Sequence, residues 1–219
     1  MKIYIDSSDI KEIKEINKTK LVDGITTNPS LIAKQNKDIK TILKEICKEI
    51  KGPVSAEVTA EDCAGMLKEA QVLKKIAKNI VIKLPLTFDG LKACSELSKK
   101  KVKTNVTLCF SVTQALMAAK CGATYVSPFI GRLDDIGENG VDLINDIRKV
   151  FDNYKDLKTQ ILSASIRNID HVKEVAKAGS DIATIPAKVF HEMYKHDLTD
   201  KGLKLFLGAY LHLLHFQHF

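Results

Sequence analysis

The sequence predicts an α/β protein built as one closed (β/α)8 barrel, the TIM-barrel architecture. Short aliphatic and β-branched runs alternate, over most of the 219 residues, with segments whose apolar residues recur every three or four positions. Such alternation of strand and helix favours a parallel sheet. The predicted strand centres, from Tyr4 to Ala183, lie on average about 26 residues apart, the length of one strand–helix unit with short loops. Eight such units fill a small, single-domain barrel.

The predicted strands are short, and most of them end in or near a polar residue. An open, doubly wound sheet is the alternative arrangement of the same units. That fold usually carries a Gly-x-Gly-x-x-Gly turn for a dinucleotide, and none follows a predicted strand here. In chain order the strands are Lys2–Asp6, Gly24–Asn28, Val54–Val58, Ile80–Leu84, Thr104–Leu108, Thr124–Phe129, Thr159–Ser165 and Asp181–Ile185.

Each predicted strand precedes an amphipathic segment. Ser7 or Ser8 is expected to cap the first helix, with Asp9 in its opening turn. Glycine follows several of the segments, as in Ala178-Gly179, and stops each helix before the next strand. The segments are Asp9–Ile16, Ile39–Ile50, Ala64–Ile76, Leu91–Lys99, Val112–Ala119, Val141–Phe151, His171–Ala178 and Ala187–Met193.

Composition and charge exclude several classes of protein. Apolar residues make up 45% of the chain and charged residues 28%, which argues against long disordered regions. The net charge of +7 comes from lysines spaced among glutamates on predicted helices, which favours a solvated surface over a nucleic-acid site. No apolar run approaches a membrane span, and Asp6 interrupts the N-terminal apolar run too early for a secretory signal. We therefore expect a cytoplasmic protein without membrane or nucleic-acid partners.

Neither cysteine nor histidine is arranged like a metal site. The five cysteines are scattered, which predicts small buried side chains rather than disulfides. No histidine follows a predicted strand, and no His-x-x-x-His pair lies beside a carboxylate, so we expect no catalytic metal. His212, His215 and His218 recur every three residues, which favours the polar face of a terminal helix over a metal-binding stripe. The cysteines are Cys47, Cys63, Cys94, Cys109 and Cys121.

Polar and charged residues follow seven of the eight predicted strands. The carboxyl ends of barrel strands meet at one mouth, where the loops form active sites. Taken singly, each such residue could simply mark where the chain returns to water. Together they predict one site, and they are Asp6, Asn28, Glu57, Lys83, Asn105, Thr107, Ser127, Arg132, Ser165 and Arg167.

Lys83 is the most informative of these residues. It lies in Ile80–Leu84, where apolar residues occupy both faces, as in a parallel strand covered on both sides. We expect the side chain to point into the barrel mouth. Burial and nearby arginine charge would lower the pKa of the amine, which could then form a Schiff base with a carbonyl group. The alternative is a lysine that extends to the barrel rim beside a structural carboxylate.

The position of the arginines predicts a phosphorylated substrate. The chain has 31 lysines and only three arginines, yet Arg132 and Arg167 both follow predicted strands. A planar guanidinium group binds two phosphate oxygens at once, which an ammonium group does not. Ser165 and Arg167 are two positions apart and are expected to face the same way on one strand. The alternative is that the arginines only pair with Asp134 and Asp135.

Asp6 and Glu57 supply the acid and base that Schiff-base chemistry requires. Forming the imine needs a proton shuttle, and breaking a carbon–carbon bond needs a base for the hydroxyl group beta to the imine. The residues alone leave open which carboxylate takes which role. Each could also be a capping or ion-paired carboxylate at the mouth.

Several motifs occur in order between Ile5 and Arg167, and through them the sequence resembles the transaldolase/fructose-6-phosphate aldolase family, specifically its short transaldolase group. The match covers nearly the whole chain. The motifs are Ile5-Asp6, Gly24–Leu31 (GITTNPSL), Ser55–Val58 (SAEV), Val81–Pro85 (VIKLP), Lys103–Thr107 (KTNVT), Gly122–Phe129 (GATYVSPF), Gly131–Asp135 (GRLDD) and Ala164–Arg167 (ASIR).

The resemblance implies a class I mechanism without a metal or organic cofactor. Lys83 matches the lysine that forms the Schiff base, and Asp6 matches the carboxylate that handles the proton of the C4 hydroxyl group. Glu57, with Thr107, would hold a water molecule that relays protons during imine formation. The other matches bind substrate: Asn28 and Asn105 hold the dihydroxyacetone portion with Ser127 beside them, and Arg132, Ser165 and Arg167 grip the phosphate.

Within the group, Glu57 and Phe129 resemble the transaldolase pair, whereas fructose-6-phosphate aldolases carry glutamine and tyrosine. An apolar ring would protect the enamine from water until an aldehyde acceptor arrives. The resemblance thus implies transfer of a three-carbon unit from sedoheptulose 7-phosphate to glyceraldehyde 3-phosphate, in the pentose phosphate pathway. The alternatives are a fructose-6-phosphate aldolase or a non-catalytic phosphosugar-binding barrel.

The resemblance also implies a homo-oligomer. In this family the last helix is an arm that packs on a neighbouring subunit, and here the arm would span about residues 198–219. Assemblies of five or ten chains are expected. The tail Gly208–Phe219 departs from the family pattern because it is unusually apolar and rich in histidine.

Overall fold

The computed structural model describes residues 1–216, and for residues 211–216 it describes only the backbone. Eight parallel strands pair in chain order, and β1 pairs with β8 to close the barrel. The predicted (β/α)8 fold is therefore confirmed. The strands are β1 (Lys2–Asp6), β2 (Gly24–Thr26), β3 (Val54–Glu57), β4 (Ile80–Pro85), β5 (Thr104–Cys109), β6 (Tyr125–Pro128), β7 (Gln160–Ser163) and β8 (Ile182–Ile185).

Helices follow the strands as the apolar periodicity predicts. Two short helices at the barrel mouth, α2 and α7, were not among the predicted segments. In the described part of the chain the helices are α1 (Ile10–Asn17), α2 (Pro29–Ala33), α3 (Ile39–Glu49), α4 (Cys63–Leu73), α5 (Phe88–Lys99), α6 (Val112–Lys120), α7 (Ile130–Asp134), α8 (Gly140–Asp152), α9 (Ile169–Lys177), α10 (Ala187–Glu192) and α11 (Asp197–Phe216).

Side-chain hydrogen bonds to the backbone shorten one predicted strand and move one predicted cap. β2 ends at Thr26 because Asn28 caps α2, its Oδ1 accepting from the Leu31 N–H at 2.9 Å. The prediction that Ser7 or Ser8 caps α1 is wrong, since Asp9 accepts from the first-turn N–H groups instead. Ser7 bonds to Glu12, and Ser8 donates to the Leu31 carbonyl. Ser8 thus ties the loop after β1 to α2.

β7 also ends earlier than predicted, at Ser163. The backbone of Ser165 has a φ of +60°, a left-handed conformation that takes the chain out of the strand. The expectation that Ser165 and Arg167 lie on one strand is therefore wrong. The chain turns at this point and carries both residues over the barrel mouth.

The interior of the barrel is closed by apolar side chains at its amino-terminal end. The Tyr4 ring packs edge-on against Tyr125, with ring centroids 6.3 Å apart. A second, larger apolar cluster lies between the outer face of the strands and the helices. It includes Ile5 and Ile82. The pocket described below opens at the other, carboxyl-terminal end of the barrel. The inner cluster is Tyr4, Val81, Tyr125, Leu162 and Ile182.

The C-terminal segment forms the longest of the described helices. Up to Tyr210, the last residue whose side chain is described, α11 exposes large apolar side chains, including Leu205 and Phe206 at 72% and 76%. Among the described residues, no helix is long and apolar enough to cross a membrane. The side chains of His212, His215 and His218 lie outside the described part of the structure, so the predicted histidine face stays a prediction.

Candidate active site

A pocket of about 230 Å³ opens at the carboxyl-terminal end of the barrel. It brings together eight of the predicted site residues from across the chain. Four lie on strands or at their ends, namely Asp6, Asn28, Lys83 and Ser127. Four lie in the loops and short helix above them, namely Phe129, Arg132, Ser165 and Arg167.

Lys83 lies at the bottom of this pocket and is 5% exposed. Its Nζ is 2.9 Å from Glu57 Oε2 and donates to the Thr27 carbonyl at 3.2 Å. Glu57 and Lys83 are aligned on the paired strands β3 and β4, so both side chains point to the same side of the sheet. The predicted inward orientation of Lys83 is confirmed. The expected neutral amine stays a prediction.

Asp6 faces the same pocket, and its carboxyl group accepts a hydrogen bond from a side chain on the neighbouring strand. Burial raises the pKa of its carboxyl group above the usual range, while a hydrogen bond from Thr26 and the charge of Lys83 act in the opposite direction. Thr26 Oγ1 donates to Asp6 Oδ1 at 2.7 Å, and it also lies 2.6 Å from Thr184 Oγ1. A hydroxyl group has one hydrogen, so Thr184 must donate to Thr26 when Thr26 donates to Asp6.

Thr26 and Thr184 line the pocket but were not identified from the sequence. Thr26 is aligned with Asp6 on the neighbouring strand, and its inward direction follows from the register. Thr184 lies on β8, the strand to which the sequence analysis assigned no site residue. Thr184 lies between the apolar residues Ala183 and Ile185, and the alternation of side chains along a strand places it on the opposite face from those two.

Glu57 and Thr107 line a second cavity of about 360 Å³ that also contacts Lys83. Thr107 Oγ1 is buried and has no hydrogen-bond partner. Among the described side chains, Arg148 Nε is the one other buried polar atom without a partner. An unpaired buried hydroxyl group is unfavourable by about 1–3 kcal/mol. Thr107 therefore presents an unsatisfied polar atom in the cavity that Glu57 and Lys83 also line.

Asn105 lies beside Lys83 on the neighbouring strand and is fully buried. Its Oδ1 accepts from Ser127 Oγ at 2.7 Å, and its Nδ2 donates to Ser55 Oγ at 3.2 Å. Asn105 does not line either cavity, in contrast to Ser127, so its predicted contact with substrate stays a prediction. In this structure Asn105 orients Ser127.

The two arginines lie together at the outer side of the pocket. The Arg132 guanidinium group stacks over the Phe129 ring at 5.4 Å. Arg167 donates to Asp135 at 2.7 Å, which is the pairing given above as the alternative to a phosphate site. This pair is about half exposed, and Arg167 lines the pocket at the same time. The third arginine, Arg148, pairs with carboxylates on α8 and near β8.

Among residues 1–210, whose side chains the structure describes, no group of three or more His, Cys, Asp and Glu side chains is placed to hold a metal ion. Burial raises the pKa of the thiols of Cys47 and Cys94 to about 11 and that of Cys109 to about 12. These cysteines are unreactive core residues, as predicted. The polar groups that line the pocket are the Lys83 amine, the Asp6 carboxylate, the Asn28 amide, several hydroxyl groups and the two guanidinium groups.

A closed parallel barrel with a buried lysine, two neighbouring carboxylates and two guanidinium groups at one mouth defines a class of protein. This is the arrangement of a lysine-dependent barrel enzyme that acts on an anionic carbonyl compound. Sequence comparison identifies the family within that class. The model of the transaldolase/fructose-6-phosphate aldolase family matches residues 3–214, and the chain belongs to this family.

Three similar proteins carry the description of a probable transaldolase. The chain is 58% identical to a probable transaldolase of Bartonella bacilliformis over 94% of its own length and 95% of that relative. It is 58% identical to a probable transaldolase of Rhizobium meliloti, covering 95% of each chain. A probable transaldolase of Caldicellulosiruptor saccharolyticus is also 58% identical, over 94% of this chain and 95% of the relative.

Proposed function

We propose that the chain is a transaldolase. It transfers a dihydroxyacetone unit reversibly from sedoheptulose 7-phosphate to glyceraldehyde 3-phosphate, giving erythrose 4-phosphate and fructose 6-phosphate. The observation that carries the proposal is the buried Lys83 amine in one pocket with Asp6 and two arginines. The family and the names of the relatives support the same reaction.

The first step is imine formation at Lys83. Glu57 accepts a proton from the ammonium group 2.9 Å away, and the free amine attacks the C2 ketone of the donor. The carbinolamine then loses water as the proton returns to the departing oxygen. The unpaired Thr107 hydroxyl group, in the cavity shared with Glu57 and Lys83, would hold the water molecule that carries this proton.

The second step breaks the bond between C3 and C4 of the donor. Asp6 takes the proton of the C4 hydroxyl group, and the electron pair of the broken bond flows into the iminium group to give an enamine. Erythrose 4-phosphate leaves as an aldehyde. The raised pKa of Asp6 suits a group that must take this proton and later return it.

Transfer is the same chemistry in reverse. The enamine attacks the aldehyde carbon of glyceraldehyde 3-phosphate, and Asp6 returns its proton to the new C4 oxygen. Water then releases fructose 6-phosphate and regenerates Lys83. Asn28, Asn105 and Ser127 hold the three-carbon unit, while Arg132, Ser165 and Arg167 bind the phosphate of each aldehyde in turn.

Transfer is favoured over free aldol cleavage by the surroundings of the imine. The Phe129 ring lines both cavities that contact Lys83 and packs edge-on against Phe110, with centroids 5.8 Å apart. An apolar ring has no proton to give to the enamine, which therefore waits for the aldehyde acceptor. Glu57 and Phe129 are the pair that resembles transaldolases.

Two assays test the proposed function. Incubation with fructose 6-phosphate should give little glyceraldehyde 3-phosphate alone and rapid turnover once erythrose 4-phosphate is added. Rapid cleavage without the acceptor would instead identify a fructose-6-phosphate aldolase. Borohydride should attach a three-carbon unit to Lys83 in the presence of fructose 6-phosphate, whereas an unmodified chain would favour a phosphosugar-binding barrel without turnover.

We further propose that the chain assembles into a pentamer or decamer through α11. The exposed apolar side chains of this helix, with Leu203 at 63% and Phe206 at 76%, would be buried against a second copy. Light scattering on the full chain measures the assembly, and a monomer would contradict the proposal. A cytoplasmic location and the absence of membrane or nucleic-acid partners stay predictions.

A further inference from the structure

His171 lies on the first turn of α9, outside the pocket, and contacts both segments that carry the pocket arginines. Its Nδ1 accepts a hydrogen bond from the backbone N–H of Arg167 at 3.3 Å. Its Nε2 lies 2.9 Å from Asp134 Oδ2, on the same short helix as Arg132. One imidazole ring therefore joins the loop after β7 to the helix after β6.

These contacts define how the ring is protonated. A backbone N–H can only donate, so Nδ1 of His171 must be the nitrogen without a hydrogen. The proton then lies on Nε2, which donates to the Asp134 carboxylate. Asp134 is itself held by the backbone N–H of Gly140, which donates to its Oδ1 at 2.9 Å. The contacts from Arg167 through His171 to Asp134 form a bridge. The N–H groups of Arg167 and Gly140 at its two ends can only donate, so the bridge has one arrangement of hydrogens.

The same two segments are in close contact beneath the arginine side chains. The Gly131 N–H donates to the Ser165 carbonyl at 3.2 Å. A Cβ on Gly131 would come within 2.8 Å of Arg167 Cγ and Nε, so the aliphatic part of Arg167 lies directly on the backbone of α7. The distance between the Arg132 and Arg167 guanidinium groups therefore depends on how these segments are held together.

We propose that His171 is a positioning residue that sets the spacing of the two phosphate-binding arginines through its bridge from the Arg167 backbone to Asp134. The inference rests on the proposed function, because it assumes that these arginines bind the substrate phosphate. His171 touches no reacting atom. Its effect is on the affinity for the phosphate group, and the imine chemistry at Lys83 proceeds without it.

The principal test is His171→Asn. Asparagine can accept from Arg167 N–H but is too short to reach Asp134, so the bridge is broken at one end. We expect the KM for fructose 6-phosphate and the inhibition constant of inorganic phosphate to rise about tenfold, the effect of losing one hydrogen bond to a charged group. The kcat, and borohydride trapping with unphosphorylated dihydroxyacetone, should change by less than about twofold.

Asp134→Asn tests the other end of the bridge without removing volume. The new amide can still accept from Gly140, but its N–H groups would face Nε2 of His171 and require that nitrogen to accept. The proton would then move to Nδ1, where it opposes the Arg167 N–H. We expect the same loss of phosphate affinity as for His171→Asn, and an inhibition constant equal to wild type would overturn the proposal.

His191→Asn is the matched control, because His191 on α10 packs against Phe190 and against Tyr194 beyond the end of that helix, and it does not line the pocket. It should leave the KM and the phosphate inhibition constant unchanged. The inference is overturned if His171→Asn behaves like this control, or if it weakens dihydroxyacetone trapping as much as it weakens phosphate binding. A wild-type enzyme that forms no imine and transfers no three-carbon unit would instead refute the proposed function itself.

Discussion

The two ends of the barrel interior are built from the same strands but differ completely in chemistry. Each residue of the inner apolar cluster is followed two positions later by a residue that lines the mouth pocket. At the amino-terminal end the cluster excludes water, and at the carboxyl-terminal end the pocket exposes its polar groups to it. The pairs are Tyr4 and Asp6, Val81 and Lys83, Tyr125 and Ser127, Leu162 and Ala164, and Ile182 and Thr184.

The residues that stabilise the barrel interior and the residues that carry out the chemistry therefore lie in two adjacent layers of the same barrel. Burying Lys83, Glu57 and Asp6 near one another is unfavourable, and the apolar layer below supplies the rigid support that keeps them in place. Substitutions in the mouth should therefore affect catalysis with little loss of stability. Substitutions in the lower layer should do the opposite.

The largest effect is expected for Lys83→Met, which removes the amine that bonds to the donor. Transfer should fall by at least about 10³-fold and borohydride trapping should disappear, because no other group in the pocket can form the imine. Lys103→Met is the control, since that lysine is exposed and precedes β5 at the opposite end of the barrel. Residual trapping in the Lys83 variant would show that another amine forms the imine and would contradict the role given to Lys83.

Asp6→Asn should lower kcat by about 10²–10⁴-fold, because the C4 hydroxyl group loses its base. Imine trapping should survive, since Lys83 and Glu57 are intact. The folded pKa of Asp6 lies above its unfolded value, so its ionisation destabilises the folded state as pH rises through that interval. The variant should then melt at or above the wild-type temperature at neutral pH. A large loss of thermal stability would assign Asp6 a structural role instead.

Leu162→Ala tests the lower layer. This side chain is fully buried in the inner cluster, and its truncation should lower the free energy of unfolding by about 2–5 kcal/mol, as measured by denaturant titration. Below the melting temperature, kcat and KM should stay within about twofold of wild type if the polar layer keeps its geometry. A kcat reduced as strongly as in Asp6→Asn would show that the two layers are not separable.

The smallest effect is expected for Thr184→Val. This change removes the hydroxyl group that donates to Thr26, and thereby weakens the hydrogen bond from Thr26 to Asp6. That bond lowers the pKa of Asp6, so its loss should raise that pKa further and move the acidic limb of the kcat profile to higher pH. Thr159→Val is the control, because the Thr159 hydroxyl group donates to the Ala123 carbonyl and Thr159 does not line the pocket. This change should leave the acidic limb of the kcat profile at the wild-type pH.

Much of the fold could be predicted because its signals are local. The alternation of strands and helices and the inward position of Lys83 follow from hydrophobic patterns within single units. The errors occurred where one side chain or one backbone angle changes the path of the chain. Asn28 ends β2 by capping α2, and the left-handed conformation of Ser165 ends β7. Neither event leaves a periodic signal in the sequence.

The sequence by itself determined which residues stand at the strand ends and in what order, because a strand positions its own side chains alternately. Only the closed barrel decided which of them meet. Thr26 and Thr184 are 158 positions apart and bond because β1 lies between β2 and β8. Likewise, Asp135 engages Arg167 and His171 joins the two arginine segments because the loops after β6 and β7 are neighbours. These contacts depend on ring closure, which no single segment of the chain encodes.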